Sequence, residues 1–148
     1  MSRFVIAAAL AIALPFFTAF TATAGGTMSM VTAAADLDWQ PAQGLPPGAS
    51  VAVLYGDPSK PGPFALRFKF PAGYTIPTHS HPTDELITFM SGKARMAFGE
   101  ESSEGNADLV TPDAFMVLPA GAWHALWIDT ETIVELHSAG PFATTLLR

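Results

Sequence analysis

The sequence predicts an all-β protein, an antiparallel sandwich or barrel, and three observations carry that prediction. After residue 50, short apolar runs alternate with turns rich in glycine and proline. The run over residues 64–70 alternates apolar and polar side chains with the period of two expected of a half-buried strand. No stretch after residue 25 combines a helical period with capping residues. Many short strands joined by such turns are typical of antiparallel sandwiches and barrels.

A single barrel domain is predicted over residues 50–148, preceded by an extended arm or linker over residues 25–49 that is rich in alanine, glycine and proline. The acidic stretch 99–108 is predicted to be a solvated loop. The predicted strands cover 51–55, 64–70, 74–81, 85–90, 93–98, 114–118, 123–128 and 133–137. Strand parity predicts six inward side chains, as pocket lining or as core: Met96, Phe98, Phe115, Val117, Leu126 and Ile128.

Residues 1–24 have the layout of a secretory signal peptide. A short basic start precedes an apolar run over residues 4–20, and Ala22-Thr23-Ala24 offers a small-residue cleavage site. A membrane anchor and a buried N-terminal helix are the alternatives, but Pro15 interrupts the run and its length is marginal for a bilayer. We therefore expect an exported protein, periplasmic or secreted, with no stable membrane anchor after cleavage.

Composition excludes several classes of function. The chain has 13 acidic and 7 basic residues and a net charge of −6, which argues against nucleic acid and anionic membranes as partners. It has no cysteine, so thiolate nucleophiles and thiolate metal ligands are excluded. The expected partner is a small-molecule ligand or substrate, and a homodimer is compatible with the sequence.

The most informative pattern is Gly73-x5-His79-x-His81-x3-Glu85-x6-Gly92, followed downstream by His124. His79 and His81 are two apart on a predicted strand, so their side chains point to the same face. Glu85 follows a short break and can face the same pocket from the next strand. Three imidazoles and a carboxylate suit one Fe(II), Mn(II), Ni(II), Cu(II) or Zn(II) ion. The alternative is a solvated strand edge with ordinary polar groups, which the ligand spacing and bracketing glycines disfavour.

These residues resemble the two sequence motifs of the cupin superfamily. The first, G-x5-H-x-H-x3,4-E-x6-G, is matched at every position by Gly73, His79, His81, Glu85 and Gly92. Of the second, G-x5-P-x-G-x2-H-x3-N, the chain matches Pro119, Gly121 and His124. Asp113 stands at its first glycine and Ile128 at its asparagine, two departures that lie outside the ligand set and bear on the local turn geometry.

The resemblance covers residues 50–140, roughly, and extends more weakly to small exported bacterial cupins of unassigned function. It implies a double-stranded β-helix, or jelly-roll barrel, with a metal held near one mouth by His79, His81, Glu85 and His124. Four protein ligands leave two positions open on an octahedral ion, as a catalytic metal requires. We expect a mononuclear metal-dependent enzyme, a dioxygenase-like oxidoreductase on a small organic substrate. A Lewis-acid isomerase or lyase, a non-catalytic binding or sensing cupin, and a structural metal are the alternatives.

Two further residues are candidate catalytic groups. Tyr74 precedes the ligand strand and can donate its hydroxyl to a substrate, although a tyrosine there is more often half-buried packing. His137 shares a strand face with Glu135. Facing inward, His137 would be a base or a substrate contact, and facing outward it would be a surface residue.

Overall fold

The alternating apolar runs of the sequence become nine β-strands within residues 30–147, the part of the chain that the computed structural model describes. The predicted signal peptide, residues 1–24, and residues 25–29 of the predicted arm lie outside the described residues. Two short 3₁₀ turns span Ala34–Asp36 and Glu104–Asn106. The strands are β1 (Gln40–Pro41), β2 (Ser50–Tyr55), β3 (Gly62–Phe70), β4 (Thr75–Ser80), β5 (Glu85–Phe98), β6 (Asp108–Val110), β7 (Phe115–Leu118), β8 (His124–Gly140) and β9 (Thr145–Leu146).

All the strand pairs are antiparallel, and β8 is the centre of the sheet. The sheet runs in the order β1-β2-β3-β8-β4-β9, while β5 pairs with β6, β7 and β8. The sheet curls into the barrel of a double-stranded β-helix, which confirms the predicted fold class. Among residues 30–147, no helix has the length and apolar character needed to cross a membrane.

Two pairs of predicted strands are each one long strand. Residues 85–90 and 93–98 belong to β5, and residues 123–128 and 133–137 belong to β8. The two strands pair over most of their length, and the register shifts between Phe89 and Ala94. Such bulges bend a strand without ending it. Ser91 and Gly92, which separate the two predicted strands, therefore form a bend inside β5.

The bend in β5 requires glycine at position 92. Gly92 has a φ of 86°, in the left-handed region that side chains disfavour. A Cβ atom at this position would lie 2.2 Å from the carbonyl oxygen of Glu131 and 2.4 Å from Oγ1 of Thr132. The close approach of β5 to β8 explains why the motif ends in glycine.

The inner faces of the strands supply one apolar core. In β3, Phe64, Leu66 and Phe70 are buried as the alternation predicts. Of the six side chains predicted to face inward, Met96, Leu126 and Ile128 are confirmed, with exposures of 2%, 6% and 2%. The other three predictions are wrong, because Phe98, Phe115 and Val117 are more than half exposed.

The register of β7 explains the error there. Glu85 is opposite Leu118 and Leu86 is opposite Val117. Residues directly opposite each other in an antiparallel pair share a face, so the inward Glu85 brings Leu118 inward, while Val117 joins Leu86 outside. Phe98 is opposite the inward His124, but it is the last residue of β5 and its side chain is 53% exposed.

The two departures from the second motif have local explanations. Asp113 adopts a φ of 68°, the left-handed conformation that a glycine would take, and its N–H donates to the carbonyl of Phe89 at 2.8 Å. Aspartate is among the residues that tolerate this conformation, so the turn is kept. Ile128 is a core residue whose backbone bonds to Gly73 and Tyr74.

Candidate metal centre

A bulge in β4 directs two histidines into the barrel. Ile76 pairs with Leu126 and His79 pairs with His124, so β4 has one more residue than β8 between the two pairs. The extra residue allows Ile76 and His79, three apart, to face the same side. His81, two residues further on, returns to that side by ordinary alternation.

The three histidines of the two motifs converge. His79 and His124 are direct partners across the β4–β8 ladder, and their ring centroids lie 4.1 Å apart. One ring nitrogen from each of His79, His81 and His124 lies within 4.8 Å of the others. All three side chains are buried. The structure therefore brings together the three imidazoles that the spacing singled out.

Backbone carbonyls orient each imidazole. The Nδ1 atoms of His79, His81 and His124 donate to the carbonyls of Pro77, Ala143 and Ala122 at 2.7, 2.8 and 3.0 Å. Because a carbonyl only accepts, each neutral ring carries its proton on Nδ1 and keeps a lone pair on Nε2. Metal-binding histidines are commonly held by such a hydrogen bond from the other ring nitrogen.

Glu85, the first residue of β5, is the fourth predicted ligand. Its carboxylate is buried, with Oε1 3.5 Å from Nε2 of His81 and Oε2 3.6 Å from Nε2 of His124. These separations are long for hydrogen bonds. Two atoms bound at ~2.1 Å to one metal ion at right angles would lie ~3 Å apart, and further apart at wider angles. The spacing therefore suits a shared ion between these donors.

Burial sets the charges of the site. Desolvation lowers the pKa of His79 to about 3 and that of His81 to about 4, and it also lowers the pKa of His124. The same cause raises the pKa of Glu85 to about 8. At neutral pH the imidazoles are uncharged, as metal ligands must be, and a cation would favour ionised Glu85. The donor set fits a divalent transition metal ion.

The four side chains line one cavity of about 690 Å³ inside the barrel. Its other walls are mostly apolar and include Phe68, Phe89, Met96 and Leu136. Residues 40–45, from the segment predicted to be an arm, close part of the wall, and β1 in this segment pairs with β2. No lysine or arginine among residues 30–147 lines this cavity.

Tyr74 lies outside the cavity lining. Its ring stacks on Phe70 with centroids 5.4 Å apart, and its hydroxyl donates to the carbonyl of Pro46. Burial raises the pKa of the hydroxyl. The hydroxyl of Tyr74 therefore links the segment before β2 to the barrel through a hydrogen bond.

His137 lies on the outer face of the sheet. Its side chain is 51% exposed, and its Nε2 lies 3.0 Å from Oε1 of Glu135. Glu135 also accepts hydrogen bonds from Arg67 across the β3–β8 ladder. The structure does not bring His137 together with the three buried histidines, and it has the outward orientation that the sequence left open.

Phe142 is a residue of the site that the sequence analysis missed. Its ring lies parallel to that of His81, at an interplanar angle of 10° and a centroid distance of 4.4 Å. It follows β8 in a segment with neither strand alternation nor a motif residue. The only signal is an apolar aromatic directly after Gly140-Pro141, where a turn residue would be expected.

Comparisons with known proteins agree with this architecture. The family model described as the ChrR cupin-like domain matches residues 27–143. No curated protein sequence matches the chain.

Three solved structures with similar folds represent different named activities. The polyketide cyclase RemF from Streptomyces resistomycificus is 15% identical to this chain, with a TM-score of 0.66. The superposition covers 82% of this chain and 88% of the RemF chain. The DMSP lyase DddQ from Ruegeria pomeroyi is 22% identical, with a TM-score of 0.60 and coverages of 76% and 61%. A putative acetylacetone dioxygenase from Methylibium petroleiphilum is 18% identical, with a TM-score of 0.61 and coverages of 83% and 84%.

Identities this low show a shared fold and no more. The family model, in contrast, spans most of the chain and includes every residue of the histidine cluster. This protein belongs to the family of ChrR cupin-like domains, within the cupin superfamily.

Proposed function

We propose that the protein binds one divalent transition metal ion through His79, His81, Glu85 and His124 and is a metal-dependent enzyme. The reaction we favour is a dioxygenase-like oxidation of a small organic substrate. One observation carries the proposal: three neutral imidazoles and a buried carboxylate converge at the wall of a large apolar cavity. A purely structural metal would not need open space beside its ligands.

A bound ion with open positions would supply a Lewis acid for a pair of substrate oxygens and, if redox-active, a site for oxygen chemistry. The protein's own part is to hold the donors and to keep water out. Apolar walls such as Phe89 and Met96 offer water no hydrogen bonds, so the polar side chains of the lining are the four candidate ligands together with Gln40, Gln43, Ser59 and Thr144. The backbone acceptors of the three Nδ1 protons keep the imidazole lone pairs pointed at one place.

The charges of the cavity indicate which substrates it accepts. A divalent ion with ionised Glu85 carries a net charge of +1, so it favours a ligand with a single anionic oxygen, such as an enolate or a phenolate. A second anionic group would have no cationic side chain to pair with, because no lysine or arginine among the described residues lines the cavity. We infer a substrate that is uncharged and largely apolar away from the metal.

The similar structures support a range of reactions. Their names include a putative dioxygenase, a lyase and a cyclase, and one barrel can host all three chemistries. Lewis-acid lyase or isomerase chemistry, and ligand binding without turnover, would use the same residues, so the experiment has to separate them.

The test is oxygen uptake by metal-loaded protein. Protein stripped of metal is reloaded with Fe(II), Mn(II) or Zn(II), and a β-diketone and a catechol serve as probes. Substrate-dependent oxygen consumption with iron or manganese, absent in His79→Ala, would support the oxidoreductase. Conversion of a probe without oxygen uptake would favour a lyase or isomerase. Tight probe binding with no product would favour a binding protein, and failure to hold one metal ion per chain would refute the metal site.

We also propose that the protein works after export. The apolar run over residues 4–20 and the site Ala22-Thr23-Ala24 support cleavage after residue 24. Intact mass measurement on protein from the periplasm or medium of the expressing cells should give a chain that starts at Gly25. A full-length chain in the cytoplasm would contradict the proposal.

A further inference from the structure

His81 is held differently from the other two histidines. His79 and His124 lie in strands and pair with each other across the β4–β8 ladder. β4 ends at Ser80, so His81 is the first residue beyond this strand. The backbone carbonyl of His81 accepts a hydrogen bond from the N–H of Gly121 at 2.7 Å. That bond holds the backbone but leaves the rotation of the imidazole to be fixed by other groups.

The segment after β8 supplies those groups. The ring of Phe142 lies flat on one face of the His81 imidazole, and the carbonyl of Ala143 accepts the Nδ1 proton. A parallel ring at 4.4 Å leaves no room for the imidazole to turn out of its plane. The hydrogen bond and the stack together define both the direction and the plane of the His81 ring.

Phe142 is itself firmly held. Its ring meets that of the buried Phe64 edge to face, with centroids 5.2 Å apart, and its N–H donates to the carbonyl of Pro58 at 2.7 Å. Further along, β9 pairs with β4 at His79 and Ser80. The segment that orients His81 is therefore anchored to the barrel on both sides of Phe142.

We propose that Phe142 is a positioning residue that fixes the imidazole plane of His81 for metal binding. This inference rests on the proposed metal site. Phe142 also lines the cavity beside His81. Groups that orient metal ligands without touching the metal typically change metal affinity by about 10- to 100-fold when they are removed.

The test compares Phe142→Leu with Phe142→Tyr and with a matched control, Phe115→Leu. Leucine keeps apolar bulk but lacks the flat ring, whereas tyrosine keeps the ring. The control removes an exposed phenylalanine from the outer face of β7. Two quantities are measured: Co(II) affinity by competition titration with its visible absorption spectrum, and the His81 ring proton shifts of the metal-free protein by NMR.

We expect Phe142→Leu to weaken Co(II) binding by about tenfold and to change the Co(II) absorption bands. It should also abolish the ring-current shift at His81. Phe142→Tyr and Phe115→Leu should match the wild type in both measurements. A folded Phe142→Leu protein with wild-type affinity and an unchanged Co(II) spectrum would overturn the proposal. If the wild-type protein showed the ring-current shift but bound no metal, the stack would stand, while the metal function and the positioning role would both be refuted.

Discussion

His79 and His124 are direct partners across the β4–β8 ladder, and each donates its Nδ1 proton to the carbonyl two residues before it, in Pro77 and Ala122. Two of the four candidate ligands are thus placed by strand register and by their own local backbone. A slip of one residue between the strands would turn one of them away from the cavity. Metal binding should therefore report on the register of this ladder.

Removal of two imidazoles should abolish metal binding. In the double variant His81→Ala/His124→Ala only His79 and Glu85 remain, and a two-donor site does not hold a transition metal ion at micromolar concentration. We expect the metal content to fall from one ion per chain to background, measured by elemental analysis after gel filtration. His137→Ala is the control, because that histidine lies on the outer face and should leave the content unchanged. Full occupancy in the double variant would refute the ligand assignment.

Metal binding at pH 7 should release nearly one proton. In the metal-free protein the pKa of Glu85 is raised to about 8, so the carboxyl is mostly protonated at pH 7, while the imidazoles are already neutral. The ion displaces the proton of Glu85. Calorimetric titrations in two buffers with different ionisation enthalpies measure this release, which Glu85→Gln should abolish. Equal heats in both buffers for the wild-type protein would contradict the assignment.

The raised pKa of Glu85 also predicts how the stability of the metal-free protein depends on pH. Between about 4.5 and 8 the folded protein keeps a proton that the unfolded chain loses, so its free energy of unfolding falls as pH rises. The lowered pKa values of His79, His81 and His124 act in the opposite direction, and their effect fades as pH rises from about 6.5 to 7.5.

From pH 7 to 8 we therefore expect the metal-free wild type to lose on the order of 1 kcal/mol relative to Glu85→Gln, with the unfolding of both proteins in urea measured at each pH. Glu85→Gln lacks the proton that Glu85 keeps, so its free energy of unfolding should not fall over this range. The same slope in both proteins would mean that another group titrates there.

Gly92→Ala should destabilise the fold severely. The new Cβ would meet the carbonyl of Glu131 at 2.2 Å, in addition to the cost of a side chain at positive φ. We expect a loss of more than about 3 kcal/mol in the free energy of unfolding. Gly73→Ala is the matched control, since Gly73 also has a positive φ but nothing within 4 Å of its Cβ position. It should lose only about 1–2 kcal/mol, and equal losses at the two sites would show that the close approach is unimportant.

Tyr74→Phe should affect stability and leave the metal site intact. It removes the donor to the Pro46 carbonyl, a part-buried bond worth about 1 kcal/mol. Urea unfolding should show that loss, while Co(II) affinity and spectrum stay at wild-type values. A changed Co(II) spectrum in a stable Tyr74→Phe protein would instead place the hydroxyl near the metal site, as the sequence allowed.

The convergence of the three histidines could be predicted partly from local spacing and partly from the family resemblance. His79 and His81 are two apart at the end of β4, whereas His124 was found only through its position in the second motif. Phe115 and Val117 were assigned to the wrong face because parity must be counted from a known pairing. That pairing, Glu85 with Leu118, is a contact between strands far apart in sequence.

The role of Phe142 could not be predicted for a related reason. Its stack on His81 joins residues 61 positions apart through a segment without periodicity, and no local pattern encodes that contact. The bulge in β4 is similar, since Ile76 and His79 share a face only because β8 pairs with them in a shifted register. Sequence patterns specify what lies along one strand, whereas these features are set by what packs across strands.

The part of the cavity wall formed by residues 40–45 has a consequence for how such a protein can diversify. These residues border the space where a substrate would lie, yet they pair with neither β4 nor β8, which carry the histidines. Mutations there can alter which molecules fit without disturbing the three buried histidines and Glu85. Natural selection could therefore change which small molecule enters this barrel by replacing residues in a short stretch before its first long strand, while the candidate metal site is inherited unchanged.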